Sequence, residues 1–237
     1  MKKILSIIIP VFNEEKTIEA LLQKVRKVDL PNGIDKEIIV IDDCSKDNSK
    51  FKIQKSKIKR LIKIYHKDNL GKGAAVRTGI KNAKGDYFII QDADLEYDPE
   101  DYVSLLEPIL KKKAKIVFGT RLVDYPLKVW GKNRTVLPLH LLANRFLTWL
   151  VNFLYGCNLT DMETCYKLFT KEVMKKLDLK SNRFEIEPEI TIKSLKLGYN
   201  IVEVPIKTKP RGYNQGKKIG FWDGLSAMWT ILKYKIS

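Results

Sequence analysis

Short apolar runs that each end abruptly in polar residues constrain this chain more than any other feature. They occupy residues 4–10, 37–41, 61–65, 87–90 and 115–119, and amphipathic stretches of helical period separate the earlier ones. The first such stretch, residues 17–28, sets Ile18, Leu21, Leu22 and Val25 on one face. Strands alternating with helices through short turns imply βαβ units and a largely parallel twisted sheet flanked by helices, an α/β fold. In such sheets the loops at the carboxyl ends of the strands line one crevice. Residues 10–14, Asp42, Asp43, residues 92–96 and Arg121 are therefore expected to converge there.

The run DYFIIQDADLE, residues 86–96, is the richest of these strand ends. Residues 87–90 are too short and too apolar for a helix and read as a buried strand. Asp92, Asp94 and Glu96 alternate with Ala93 and Leu95, so in an extended chain the three acids share a side. Like charges crowded in this way call for a cation. Mg2+ or Mn2+, which take oxygen ligands and are often held by one or two carboxylates plus phosphate oxygens, fit that need. The plainer reading is an acidic loop before a helix that starts at Asp98-Pro99.

Other classes are disfavoured. No Gly-x-Gly-x-x-Gly follows the first strand and no Walker A sequence occurs. Gly71-Lys72-Gly73 reads as a glycine-flanked helix start whose glycines serve close packing. With His66 and His140 the only histidines, a His-based zinc site is excluded and neither is assigned a role. Three cysteines without metal spacing suit a reducing compartment. The net charge of +16 is mostly scattered lysine without interleaved aromatic platforms, which argues against nucleic acid and leaves attraction to an anionic membrane surface. The N-terminal apolar run is too short for a signal peptide, so a cytoplasmic protein is expected.

Taken in order, IIIPVFNE (7–14), IIVIDDCS (38–45), NLGKGAA (69–75), QDADL (91–95) and GTR (119–121) resemble the successive motifs of the inverting GT-A glycosyltransferases of family 2. Among these, the chain is most similar to the dolichyl- and polyprenyl-phosphate mannosyl- or glucosyltransferases. The resemblance implies a GT-A fold, a nucleoside-diphosphate sugar donor such as GDP-mannose or UDP-glucose, and a polyprenyl or dolichyl phosphate acceptor. It places Pro10, Phe12 and Glu14 against base and ribose, with Ile41 beside the base and Asp43 bonded to it. Asp92, Ala93 and Asp94 would hold metal and diphosphate, with Glu96 a further metal ligand. Arg121, Arg211 and Lys217 would grip the phosphates, and Asp94 would serve as base only for an alcohol acceptor. Phe12 stands where the family often has tyrosine, and Glu96 where it often has glutamine.

After Arg121 the rhythm breaks. The implied organisation is a nucleotide-sugar half, residues 1–125, and an acceptor half, residues 126–237, within one catalytic domain. Residues 138–155 are apolar and aromatic but interrupted by Asn144, Arg145 and Asn152. They suit either a helix lying in the membrane interface through Trp149 and Phe153, with peripheral attachment at the cytoplasmic face, or an ordinary amphipathic helix packed on the core. Asp161 and Glu187 are second-rank site candidates. The basic stretch 207–218, with Gly212 and Gly216, reads as a lid over the diphosphates, and residues 220–235 as a second Trp-bearing helix. Two rivals stand beside this reading. One is the same donor site with a sugar hydroxyl as acceptor in cell-surface glycan synthesis, and the other is a basic binding module without catalysis.

Overall fold

The structure, a computed structural model, describes residues 2–123, 137–212, 216 and 218–236. The strands are β1 (Ile4–Val11), β2 (Asp35–Asp42), β3 (Leu61–Tyr65), β4 (Tyr87–Ile90), β5 (Ile116–Thr120), β6 (Lys167–Thr170) and β7 (Ile201–Pro205). The helices are α1 (Ile18–Lys27), α2 (Ser49–Lys55), α3 (Lys72–Asn82), α4 (Tyr102–Leu110), α5 (Pro138–Tyr155), α6 (Lys171–Met174), α7 (Ile186–Lys196) and α8 (Phe221–Ile236). Among the described residues these strands form one seven-stranded sheet in the order β3-β2-β1-β4-β6-β5-β7.

The parallel pairs β1/β2, β1/β4 and β2/β3 follow from the alternation of strands and helices, and β5/β7 is parallel as well. Strand β6 is the exception, antiparallel to both β4 and β5 and inserted between them. Its residues are not among the five apolar runs that mark strands in the sequence. The core behaves as a sheet covered on both faces should: Ile7, Ile8 and Ile9 are all fully buried instead of alternating. Helix α3 lies close on this core because Gly79 has no side chain, and a Cβ there would meet Ile8 Cγ2 at 2.4 Å.

A second apolar cluster joins α5, α7 and α8 through Leu147, Val151, Met162, Ile192, Ala227 and Ile231. Helix α5 is polar on the inside. Asn144 donates to Asp161 (3.2 Å), and Asn152 binds both the amide and the carbonyl of Leu159 (2.9 and 2.8 Å). Its outward face carries Phe146, Trp149 and Phe153 as a stack with ring centroids 5.9 and 5.6 Å apart. On α8, Phe221, Trp222 and Trp229 are likewise exposed. No helix among the described residues is long and apolar enough to cross a membrane.

Candidate active site

The crevice forms where β1, β2 and β4 end, and each exit turns through a left-handed non-glycine residue: Asn13 (φ 51), Cys44 (φ 62) and Leu95 (φ 62). Such conformations are disfavoured for side-chain-bearing residues and persist where surroundings impose them. The exit from β4 begins at Gln91. It is fully buried, its carbonyl accepts from Tyr102 (2.5 Å) and Tyr166 (2.6 Å), and its amide donates to the Asp92 carbonyl (2.9 Å).

The extended alternation expected for residues 92–96 does not survive this turn. The Glu96 amide folds back on Asp94 Oδ1 (3.1 Å), and Asp92 parts from the other two acids. Asp92 pairs with Lys72 (2.7 Å), whose ammonium also lies 3.0 Å from Glu187 Oε1. Asp94 pairs with Arg211 (2.8 Å), and Glu96 approaches the same guanidinium at 3.4 Å. Among the described residues no three His, Cys, Asp or Glu side chains gather as a metal cage. Of the three acids expected to hold a metal, Asp92 rests on Lys72, and Asp94 and Glu96 face the arginine.

Asp94 keeps the character of a cation seat. Burial pushes its carboxyl up to about 6, repulsion from Asp92 and Glu96 adds to this, and Arg211 works against it. An ionised oxygen in so crowded a place gains from added positive charge. A hard divalent cation held by one or two carboxylates and completed by diphosphate oxygens fits the donor chemistry present.

Arg211 arrives by way of the segment after β7. Thr208 bridges to Tyr97, and the Lys209 amide donates to the Glu96 carbonyl (2.9 Å), which fixes the stem of the basic stretch beside the acids. The guanidinium also meets both oxygens of Glu14 at 3.3 Å. Lys218 bonds the Phe12 carbonyl and Glu14 (2.7 Å) and lies 5.7 Å over the Phe12 ring. Lys217 lies outside the described residues.

Three further expected site residues are placed as follows. Ile41 is fully buried and faces α3, its Cδ1 2.9 Å from where a Gly79 Cβ would stand, so it points into the core instead of the crevice. Asp43 is turned to the 66–71 loop, accepting from His66 (2.7 Å) and the amides of Leu70 (3.0 Å) and Gly71 (2.8 Å). Arg121 holds the fully buried Asp161 through Nε (2.6 Å) and Nη2 (2.8 Å), with Tyr97 beneath it. Pro10 and Ala93 sit at the strand ends as expected, Ala93 buried and Pro10 half-buried.

The sequence left several contributors unassigned. Lys72, His66 and Gln91 belong to the site's framework, as does fully buried Lys167, which bonds Glu187 at 2.5 Å. The glycines around Lys72 do serve packing: a Cβ on Gly71 or Gly73 would stand 2.4 or 2.5 Å from the carbonyl oxygen of Asn182 or Ser181. The flanking glycines were the visible signal, since a charged residue pinned between two close backbone contacts has little freedom to swing away.

Comparison with known proteins agrees with this architecture. Residues 6–178 match the family described as Glycosyl transferase family 2. An uncharacterized protein of Methanocaldococcus jannaschii is 31% identical over 97% of this chain and 91% of its own. A UDP-N-acetylglucosamine–dolichyl-phosphate N-acetylglucosaminyltransferase of Methanococcus voltae is 29% identical over 99% of this chain and 97% of its own. A dolichol-phosphate mannosyltransferase of Pyrococcus furiosus is 28% identical over 97% of this chain and 64% of its own. Among solved structures, the glucosyl-3-phosphoglycerate synthase of Mycobacterium tuberculosis, in complex with Mn2+, UDP and glucosyl-3-phosphoglycerate, superposes with a TM-score of 0.73 at 19% identity, covering 98% of this chain and 80% of that one. On fold, motif order and family match together, the chain is a glycosyltransferase of GT-A fold and belongs to glycosyl transferase family 2.

Proposed function

We propose that this enzyme transfers a sugar, with inversion, from a nucleoside-diphosphate donor to a dolichyl or polyprenyl phosphate at the cytoplasmic face of a membrane. The observation that carries the reading is the meeting of Arg211 with Asp94 at 2.8 Å, which brings the basic stretch to the acids at the mouth of the sheet. A departing diphosphate needs its charge neutralised, and Arg211, Lys218 and neighbouring Lys217 are the residues to do it. Asp94 would hold Mg2+ or Mn2+ with diphosphate oxygens, the bound cation supplying further charge neutralisation. Phe12, Pro10 and Glu14 form the base and ribose side.

A phosphate monoester acceptor is already anionic at neutral pH, so the chain need only align it and exclude competing water. That suits a crevice whose histidine, His66, is occupied by Asp43 and Thr78. The outward aromatic stack on α5 and the exposed Phe221, Trp222 and Trp229 on α8 suit a helix pair seated in a lipid interface, with the basic surface drawn to anionic headgroups. The two named archaeal relatives act on dolichyl phosphate or dolichol phosphate by their names, which supports the lipid acceptor and adds UDP-GlcNAc to mannose and glucose donors as a candidate.

The test is turnover of labelled GDP-mannose, UDP-glucose and UDP-GlcNAc with Mn2+ or Mg2+ and polyprenyl phosphate in anionic vesicles. The expected product is an acid-labile sugar extractable into organic solvent. Failure with every donor, or product only on a sugar hydroxyl, refutes the lipid-phosphate reading. Trp149→Ser/Phe153→Ser should lose vesicle co-sedimentation, and undiminished sedimentation would refute the interfacial role of α5.

A further inference from the structure

Arg211 is shared among three carboxylates from two strand ends. Its short contact is with Asp94 (2.8 Å), and Glu14 (3.3 Å) and Glu96 (3.4 Å) flank it more loosely. All four side chains are largely buried, at 16% exposure for Arg211 and 15%, 8% and 6% for Asp94, Glu14 and Glu96. The arrangement is built from the backbone outward. The Tyr97–Thr208 bridge and the Lys209–Glu96 bond anchor the segment leading to Arg211, and Lys218 bonds Glu14 Oε1, one of the two oxygens that Arg211 meets.

We infer that Glu14 and Glu96 are positioning residues for Arg211, holding its guanidinium on Asp94 so that the arginine and a divalent cation are alternative occupants of that carboxylate. This rests on the donor-site reading above and adds a role for two acids that the sequence had assigned to ribose and to metal. The physical basis is charge exclusion. A guanidinium and a divalent cation on one partly buried carboxylate repel at a few ångströms, where water screens poorly. In the metal-free enzyme Arg211 supplies the missing positive charge and keeps the acids together. When a cation takes Asp94, the guanidinium is released within reach of the incoming diphosphate, while the stem at residues 208–209 keeps it from straying. Glu14 and Glu96 set how firmly it is stored.

The sign of one measurement separates this from metal ligation by Glu96. Binding of Mn2+ alone, without nucleotide, is followed by calorimetry or by the spin-resonance signal of the free ion, on wild type and on Glu96→Gln, Arg211→Gln and Asp94→Asn. Thermal melts verify that each variant is folded. Arg211→Gln should tighten Mn2+ about three- to tenfold, the scale of removing one competing, partly buried ion pair. Glu96→Gln should tighten it by a smaller factor, and Asp94→Asn should abolish it. Trypsin cleavage after Arg211 should be slow in the wild type, faster with Mn2+, and fast without metal in Glu96→Gln.

Weaker Mn2+ binding in Glu96→Gln makes that residue a ligand and overturns the inference, as does unchanged binding in Arg211→Gln. Undiminished binding in Asp94→Asn removes the cation seat itself and takes the donor-site reading down with it. With that seat intact, the first two results leave the donor-site reading standing.

Discussion

Replacing Arg121 with methionine distinguishes a residue that touches substrate phosphate from one that holds the wall of the site. In the structure its guanidinium makes a two-pronged bond to Asp161 (2.6 and 2.8 Å), and its own backbone amide adds a third (3.0 Å). Asp161 is fully buried. Without the guanidinium, Asp161 keeps, among the described residues, that amide and the Asn144 side chain at 3.2 Å. Breaking a buried pair from one side costs about 3–5 kcal/mol. A chain of this size loses about 2–4 °C in Tm per kcal/mol, so Arg121→Met should melt about 6–20 °C below the wild type. The charge-balanced Arg121→Met/Asp161→Asn should recover more than half of that loss. Burial works against ionisation of Asp161, and Arg121 with its hydrogen bonds more than reverses it, leaving the carboxyl below its ordinary value. A depressed carboxyl stabilises the fold above its unfolded pKa and loses that contribution as pH falls through the folded one. Without Arg121 burial raises that carboxyl, so the melting gap should be widest at neutral pH and narrow as pH falls and Asp161 of the variant takes up a proton. Scanning fluorimetry from pH 4 to 8, with turnover measured on the same samples, decides it. If Arg121→Met melts within about 2 °C of wild type while turnover collapses, the residue is a substrate ligand and the structural argument fails.

Glu163 carries a buried Oε1 without a hydrogen-bond partner among the described residues, and burial pushes its carboxyl up to about 7, with Lys167 opposing this and Glu187 adding to it. A raised carboxyl leaves stability untouched below its unfolded pKa and costs stability increasingly as pH rises toward its folded one. Glu163→Gln should thus gain about 1–3 kcal/mol at pH 8 and almost nothing at pH 5 by urea unfolding, and equal effects at both pH values would contradict the assignment. Gly73→Ala drives a Cβ to 2.5 Å from the Ser181 carbonyl and 2.9 Å from that of Arg183. It should cost about 1–3 kcal/mol by overpacking and raise the donor KM, because α3 begins beside the Gly71 amide that bonds Asp43. An unchanged melting temperature and KM would show that the 181–183 segment yields freely.

Legibility followed the range of the interactions involved. Strands β1 to β5 could be read because runs such as residues 87–90 declare themselves by apolar continuity and sharp polar ends, which are local properties. Strand β6 could not, since Lys167 is polar by sequence yet fully buried in the sheet, made tolerable by Glu187 twenty positions on and the Phe118 ring at 5.1 Å. The acids at 92–96 were found, but their directions were not. The left-handed turn at Leu95 follows Gln91, which is held by two tyrosines from α4 and the approach to β6, contacts with no trace in local spacing. Arg121 was picked out for its position after a strand, and its partner Asp161, forty residues away, was ranked too low to be joined to it. On α5 the pattern showed which residues were polar, while only packing shows that Asn144 and Asn152 look inward and the aromatics outward.

The insertion of β6 has a consequence for how the polypeptide is made. Until residues 167–170 have left the ribosome, β4 and β5 have no bridge between them, and each presents an open edge of hydrogen-bonding groups to its neighbours. Pairings between strands far apart in sequence are slow to assemble, so the nascent chain spends that interval exposed to mispairing. Four residues emerging late act as the keystone of the sheet, and a ribosome stalled before them would release a product that holder chaperones, more than any substrate, would recognise.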